Sequence, residues 1–138
     1  MQNPVAYFDG AAEPNPGAAG IGYVILSPEG ETILEVSAPI GHATNNVAEY
    51  TALIELLKDA IRLKVQNLKI FGDAQLVINQ VNGIWQTKQP HLAPLTEQAA
   101  SLLKQADASL YWGMRERNKR ADRLSKIGVK MNGDARDV

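Results

Sequence analysis

Four acidic residues of this 138-residue chain stand where an acid needs a reason. Asp9 follows the apolar run Val5-Ala6-Tyr7-Phe8, and Asp73 follows Leu68-Lys69-Ile70-Phe71-Gly72. Glu49 lies one helical turn before Leu53, on the flank of an apolar arc, and Asp122 stands four residues before Lys126. Each has an ordinary reading: Asp9 as a turn residue before Gly10, Glu49 closing a capping box with Asn46. Asp73 could cap the helix that follows it, and Asp122 could be a solvated partner of Lys126. Together those readings strain, because carboxylates gathered at one place repel and raise one another's pKa unless cations neutralise them. Hard oxygen ligands without cysteine suit Mg²⁺ or Mn²⁺ and not zinc. Two such ions about 4 Å apart suit in-line displacement at a phosphodiester.

The elements that must position these acids follow from periodicity. Strands are expected at residues 5–8, 18–26 and 32–36, joined by short turns into an antiparallel meander. Asp9 is placed at the carboxyl end of the first of them. Thr44-Asn45-Asn46 precedes a helix whose stripe Val47, Tyr50, Ile54, Leu57 and Ile61 is widened by Leu53 and Leu56. A strand at 67–71 follows, then a short helix at 74–81 stopped by Asn82-Gly83. A helix at 92–105 leads to a fifth strand at 109–114 with Leu110, Trp112 and Met114 on one face. Asn118 is expected to cap a last helix that Gly128 ends, leaving residues 130–138 as a loose tail. The fold class is α/β: a mixed five-stranded sheet, three antiparallel strands then two parallel ones, with helices on both faces. Ligands gather beyond the carboxyl ends of neighbouring parallel strands, so Asp9 and Asp73 converge if their strands are neighbours.

Composition narrows the classes. The length suits one domain over residues 1–138, and 45% hydrophobic with 21% charged residues is ordinary for a globular chain. Without cysteine there is neither a disulfide framework nor a thiolate metal site. No apolar run reaches membrane-spanning length and the N-terminus lacks a signal-peptide pattern, which makes a cytoplasmic monomer with no membrane partner the expectation. The net charge is −1, yet Arg115, Arg117, Lys119, Arg120, Arg123, Lys126 and Lys130 crowd one stretch that could form a positive face. Trp85, Tyr111 and Trp112 are expected in the interior.

Four segments in order resemble type 1 ribonuclease H. They are Phe8-Asp9-Gly10 with Asn15-Pro16-Gly17, then Thr44-Asn45-Asn46-Val47-Ala48-Glu49-Tyr50, then Asp73-Ala74-Gln75-Leu76-Val77, and finally Arg115-Glu116-Arg117-Asn118 leading to Ala121-Asp122-Arg123-Leu124. The resemblance implies that Asp9, Glu49, Asp73 and Asp122 hold two Mg²⁺ ions, with Mn²⁺ able to substitute. It implies an endoribonuclease that cuts the RNA strand of an RNA–DNA hybrid to 5′-phosphate and 3′-hydroxyl ends. Gly10, Ala11 and Ala12 match backbone that meets the RNA near its 2′-hydroxyls. Asn15, Thr44, Asn45, Asn46 and Gln75 match positions along the two strands, with caps, turns and a solvated helix position as their ordinary readings. Shape and 2′-hydroxyl contacts let a protein take RNA of any sequence.

Two departures mark an archaeal-like branch. Where many bacterial members carry a mobile histidine before the last Asp, this chain has Arg115, a candidate catalytic residue able to neutralise phosphate charge. His42 and His91 are the only histidines and read as surface residues. The segment between Gly83 and Leu92 is too short for the family's basic protrusion. A catalytically silent nucleic-acid-binding module of the same fold is the alternative reading, and the full set of four carboxylates stands against it. An exonuclease of the same superfold would carry an acid two positions after Asp9, where this chain has Ala11.

Overall fold

Short turns pair the first three strands before any distant contact is needed. The computed structural model describes residues 3–113 and 115–136, the side chains of 115, 116 and 134–136 excepted. In it β1 (Val5–Glu13), β2 (Gly17–Leu26) and β3 (Thr32–Ala43) form an antiparallel meander. Helix α1 (Asn45–Arg62) crosses to β4 (Lys69–Gly72), which is followed by α2 (Gln75–Val81) and α3 (Ala93–Gln105). β5 (Ser109–Trp112), a 3₁₀ turn at Arg115–Asn118 and α4 (Lys119–Arg136) complete the chain. The strand order is β3-β2-β1-β4-β5, with β1–β4 and β4–β5 parallel. The mixed sheet of three antiparallel and two parallel strands is therefore as expected.

β1 does not stop at Asp9. Its parallel ladder with β4 ends at Tyr7↔Phe71, while its antiparallel ladder with β2 continues to Glu13↔Ala18. Asp9 thus lies where β1 and β4 part company, inside a strand that is still paired on its other edge. An opening beside a parallel strand end is the same kind of crevice that a true strand terminus makes.

The core lies between the sheet and α1, α2 and α3. Phe8, Ile25, Tyr50, Leu53, Leu56, Leu57, Leu68 and Ile70 are among its fully enclosed side chains. Tyr50 carries a hydroxyl into this apolar layer, and a buried hydroxyl needs partners. It donates to Gln80 Oε1 on α2 at 2.5 Å and meets Thr96 Oγ1 on α3 at 2.7 Å. Thr96 in turn meets Thr87 of the α2–α3 connection at 2.9 Å.

The C-terminal end corrects an expectation. The last helix runs through Gly128 to Arg136, so neither Gly128 nor a loose tail terminates it there. A Cβ on Gly128 would meet the Ala38 carbonyl oxygen at 2.4 Å, and one on Gly20 would meet Val129 N at 2.2 Å. These glycines serve close helix–sheet approach and not capping. Asn132 then fastens the helix, donating Nδ2 to Ala19 O at 2.7 Å and accepting at Oδ1 from Gly41 N at 3.1 Å. Asn118 directly precedes α4 but makes no side-chain capping bond: it is buried, donates Nδ2 to Phe8 O at 2.9 Å, and among the described residues its Oδ1 has no partner.

The interior assignment of three aromatics is overturned. Trp85, Tyr111 and Trp112 are 44%, 43% and 55% exposed. β5 is an edge strand and Trp85 lies in the α2–α3 connection, so no layer covers them. Tyr111 instead stacks on Phe71, which stacks on Tyr7, with ring centroids 5.5 and 5.8 Å apart. Met114 lies outside the described residues. His42 and His91 are exposed, as expected. Among the described residues no helix is long and apolar enough to cross a membrane.

Candidate active site

Two glycines bring the acids together. Gly10 has no side chain, and a Cβ there would meet Ala48 C at 2.2 Å and Glu49 N at 2.4 Å. The first turns of α1 can therefore lie against β1, with Glu49 beside Asp9, and the Gly10 backbone N–H donates to the Glu49 carboxylate. Gly22 does the same on β2 for α4. It is the cross-strand partner of Asp9, and a Cβ on it would strike Ser125 N at 2.4 Å and Leu124 Cβ at 2.5 Å. Asp73 arrives from the end of β4. Thr44, not Asn46, caps α1, accepting from Val47 N at 3.2 Å, and the cap position of α2 falls on Ala74. Glu49 is therefore not the α1 cap, and Asp73 stands one residue before the cap position of α2.

Asp9, Glu49 and Asp73 each offer an oxygen within 4.8 Å of the others'. Asp9 is only 5% exposed, and its carboxyl is pushed up to about 7. Burial is the largest cause and the charge of Asp73 adds to it, while hydrogen bonds from Glu49 and Ser125 oppose it. Glu49 is held well above the usual carboxylate range, first by burial, then by the charge of Asp9. Its Oε2 is enclosed and, among the described residues, has no hydrogen-bond partner. Such a group costs free energy unless something positive meets it. A clustered all-carboxylate donor set with an unpartnered buried oxygen fits a hard divalent cation.

Asp122 stands outside this group of three, yet its side chain reaches close enough to Asp9 to push that carboxyl further up. It lies on the rim of the same cleft, of about 540 Å³, with its carboxylate 3.3 Å from Lys126 Nζ. Asp122 thus pairs with Lys126 at helical spacing four and also lines the cleft. Of the residues matched to substrate contacts, Gly10, Ala11, Asn45, Asn46 and Gln75 line the cleft. Ala12 donates its N–H to Asn45 Oδ1 at 2.8 Å, and Asn45 N donates to Asn15 Oδ1 at 3.0 Å. Ala12, Asn15 and Thr44 therefore hold the wall of the cleft in place. The side chain of Arg115 lies outside the described residues.

Trp112, expected in the interior, instead lines the cleft, and Ser125, not among the expected site residues, places its hydroxyl 3.0 Å from Asp9 Oδ2. Ser125 stands three residues after Asp122, and that helical spacing was its one visible signal. The basic residues do not make one undivided positive face. Arg120 turns to Glu35 at 2.9 Å and Lys126 to Asp122, while Lys119, Arg123 and Lys130 are exposed along α4.

A family model described as reverse transcriptase-like matches residues 7–128. A ribonuclease HI of Halobacterium salinarum is 42% identical over 121 residues, which are 87% of this chain and 61% of that protein. The crystal structure of RNase H1 from that archaeon superposes with a TM-score of 0.88 at 40% identity, over 93% of this chain and 98% of the other. The N-terminal RNase H domain of a Mycobacterium tuberculosis protein gives 0.89 at 36% identity, over 98% and 99%. LC11-RNase H1, isolated from compost and crystallised with an RNA/DNA hybrid, gives 0.87 at 34% identity, over 94% and 99%. The chain spans 61% of the length of the Halobacterium protein and 33% of the bifunctional M. tuberculosis protein.

Proposed function

Because the chain belongs to the ribonuclease HI family, we propose that it is a metal-dependent endoribonuclease that cleaves the RNA strand of RNA–DNA hybrids. The products are a 5′-phosphate and a 3′-hydroxyl. The observation that carries this reading is the meeting of Asp9, Glu49 and Asp73 within 4.8 Å, with Glu49 Oε2 buried and unpartnered. Asp122 on the cleft rim supplies the fourth carboxylate, and one chain carries the whole set, which supports a working monomer.

Asp9, Glu49, Asp73 and Asp122 are the residues that would hold two Mg²⁺ ions, or Mn²⁺ in their place. When bound, such ions activate water at neutral pH and neutralise charge on the leaving oxygen. The chain's own residues do the rest. Gly10 and Ala11 offer backbone against the RNA sugar edge, where the 2′-hydroxyl distinguishes RNA from DNA. Ala12 and Asn15 hold Asn45 where it lines the cleft beside Asn46, and Gln75 faces them from the start of α2. Arg115 cannot serve as a base, since a guanidinium stays protonated, and its role is to steady the phosphate or aid product departure.

The test is cleavage of labelled RNA–DNA, RNA–RNA, DNA–DNA and single-stranded RNA with Mg²⁺ and with Mn²⁺. The hybrid should be cut, DNA–DNA should resist, and chelation should abolish cleavage. Asp73→Asn should lower the rate by several orders of magnitude with the fold intact. Cleavage of DNA–DNA at the hybrid's rate removes the substrate assignment, and an active Asp73→Asn enzyme removes the site.

A further inference from the structure

Ser125 is a polar residue that helix formation does not ask for. In a helix interior Ser is less favourable than Ala by about 0.5 kcal/mol, and here it is 0% exposed, with Ala121, Leu124 and Val129 buried near it on the same helix. Its hydroxyl lies 3.0 Å from Asp9 Oδ2 on β1 and 2.8 Å from the carbonyl oxygen of Asp122, one turn earlier on α4. One hydroxyl has one proton to donate. A bond back to the preceding turn is the usual resting place of a helical serine. A bond to a carboxylate is charge-assisted and stronger once that carboxylate is ionised.

The approach is built into the sheet. Asp9 is paired with Gly22, and the missing side chain of Gly22 is the space that Ser125 N and Leu124 Cβ occupy. Any larger residue opposite Asp9 would hold α4 away and take the hydroxyl out of reach. The same hydroxyl therefore touches the acid at the centre of the cluster and the backbone of the acid on its rim.

We propose that Ser125 is a positioning residue for divalent-metal binding. By holding Oδ2 of Asp9 it sets the rotation of that carboxylate, so that its metal-facing geometry toward Glu49 and Asp73 is fixed before any ion arrives. The inference rests on the metal-dependent reading of the site. Outer partners of metal ligands typically contribute about 10–100-fold in affinity or activity, and a neutral donor to a buried carboxylate belongs in that range.

The experiment titrates Mn²⁺, and separately Mg²⁺, into the free wild-type protein and Ser125→Ala, followed by calorimetry. Urea unfolding in chelator and hybrid-cleavage kinetics across metal concentration accompany it. Ser125→Ala should need about tenfold or more metal for half-saturation in both binding and cleavage. Its KM for hybrid at saturating metal should stay within about threefold of wild type. Unchanged metal affinity in Ser125→Ala overturns the inference, and a lower urea midpoint in chelator with unchanged affinity reduces Ser125 to a packing residue. Those outcomes leave the enzyme assignment standing. Failure of the wild-type protein to bind either ion or to cut the hybrid is a different result and removes the assignment itself.

Discussion

Gly22→Ala adds one methyl group and should disable the enzyme. Its Cβ would lie 2.4 Å from Ser125 N, 2.5 Å from Leu124 Cβ and 2.7 Å from Ala121 O. Ordinary carbon contacts are about 3.5–4.0 Å, so α4 must withdraw by roughly 1 Å. Two of the three atoms are backbone, which no change of rotamer can move aside. Overpacking costs about 1–3 kcal/mol, and the absence of a side-chain escape puts this site near the upper end. With a urea slope of about 1–3 kcal/mol per molar, the midpoint should fall by about 1–3 M. The same withdrawal stretches the 3.0 Å Ser125–Asp9 bond beyond hydrogen-bonding reach and carries Asp122 away from the cleft. A misplacement of about 1 Å can cost about 10²-fold in rate. Gly133→Ala is the internal control: it lies on the same helix with nothing within 4 Å of its added Cβ, and should stabilise by up to about 1 kcal/mol. The assay pairs urea unfolding with single-turnover hybrid cleavage. A Gly22→Ala protein with a wild-type midpoint and a rate within twofold would refute the packing argument.

Without metal, stability should fall as pH rises. Folding raises the carboxyls of Asp9, to about 7, and of Glu49, so the folded chain binds more protons than the unfolded one between about pH 4 and 7. Their contribution is complete below the unfolded pKa and is lost as pH passes the folded one. Urea midpoints in chelator should therefore be lower at pH 8 than at pH 5, and a rise would contradict the sign. Tyr50→Phe leaves Gln80 Oε1 without its donor and should cost about 1–3 kcal/mol while leaving kcat nearly unchanged; thermal unfolding and steady-state kinetics check both halves. Trp112→Ala removes an exposed ring that lines the cleft. Stability should barely change, while hybrid Kd weakens by about 5–150-fold if bases stack on it at about 1–3 kcal/mol; equal affinity of the two proteins excludes that contact.

What the sequence determined by itself was whatever local pattern and residue type decide. The 3.6-residue stripe through Tyr50, Leu53 and Leu57 specifies α1, and short turns specify the meander of β1, β2 and β3. The carboxylates Asp9, Glu49 and Asp73 were legible as a group because acids beside buried elements are costly alone and useful together. Tertiary structure decided what depends on contacts between distant segments. The ending of α4 is one case: Gly128 reads as a stop signal, yet its bare backbone admits Ala38 O, and Asn132 ties the following turn to β2 and β3. The exposure of Trp85, Tyr111 and Trp112 is another, since hydrophobicity says that a ring gains by burial but not whether a layer exists to cover it. The hydrogen bond from Ser125 to Asp9 spans 116 residues of chain. It exists because Gly22 leaves a gap opposite Asp9, a coincidence of register and helix docking that no local pattern in the sequence encodes.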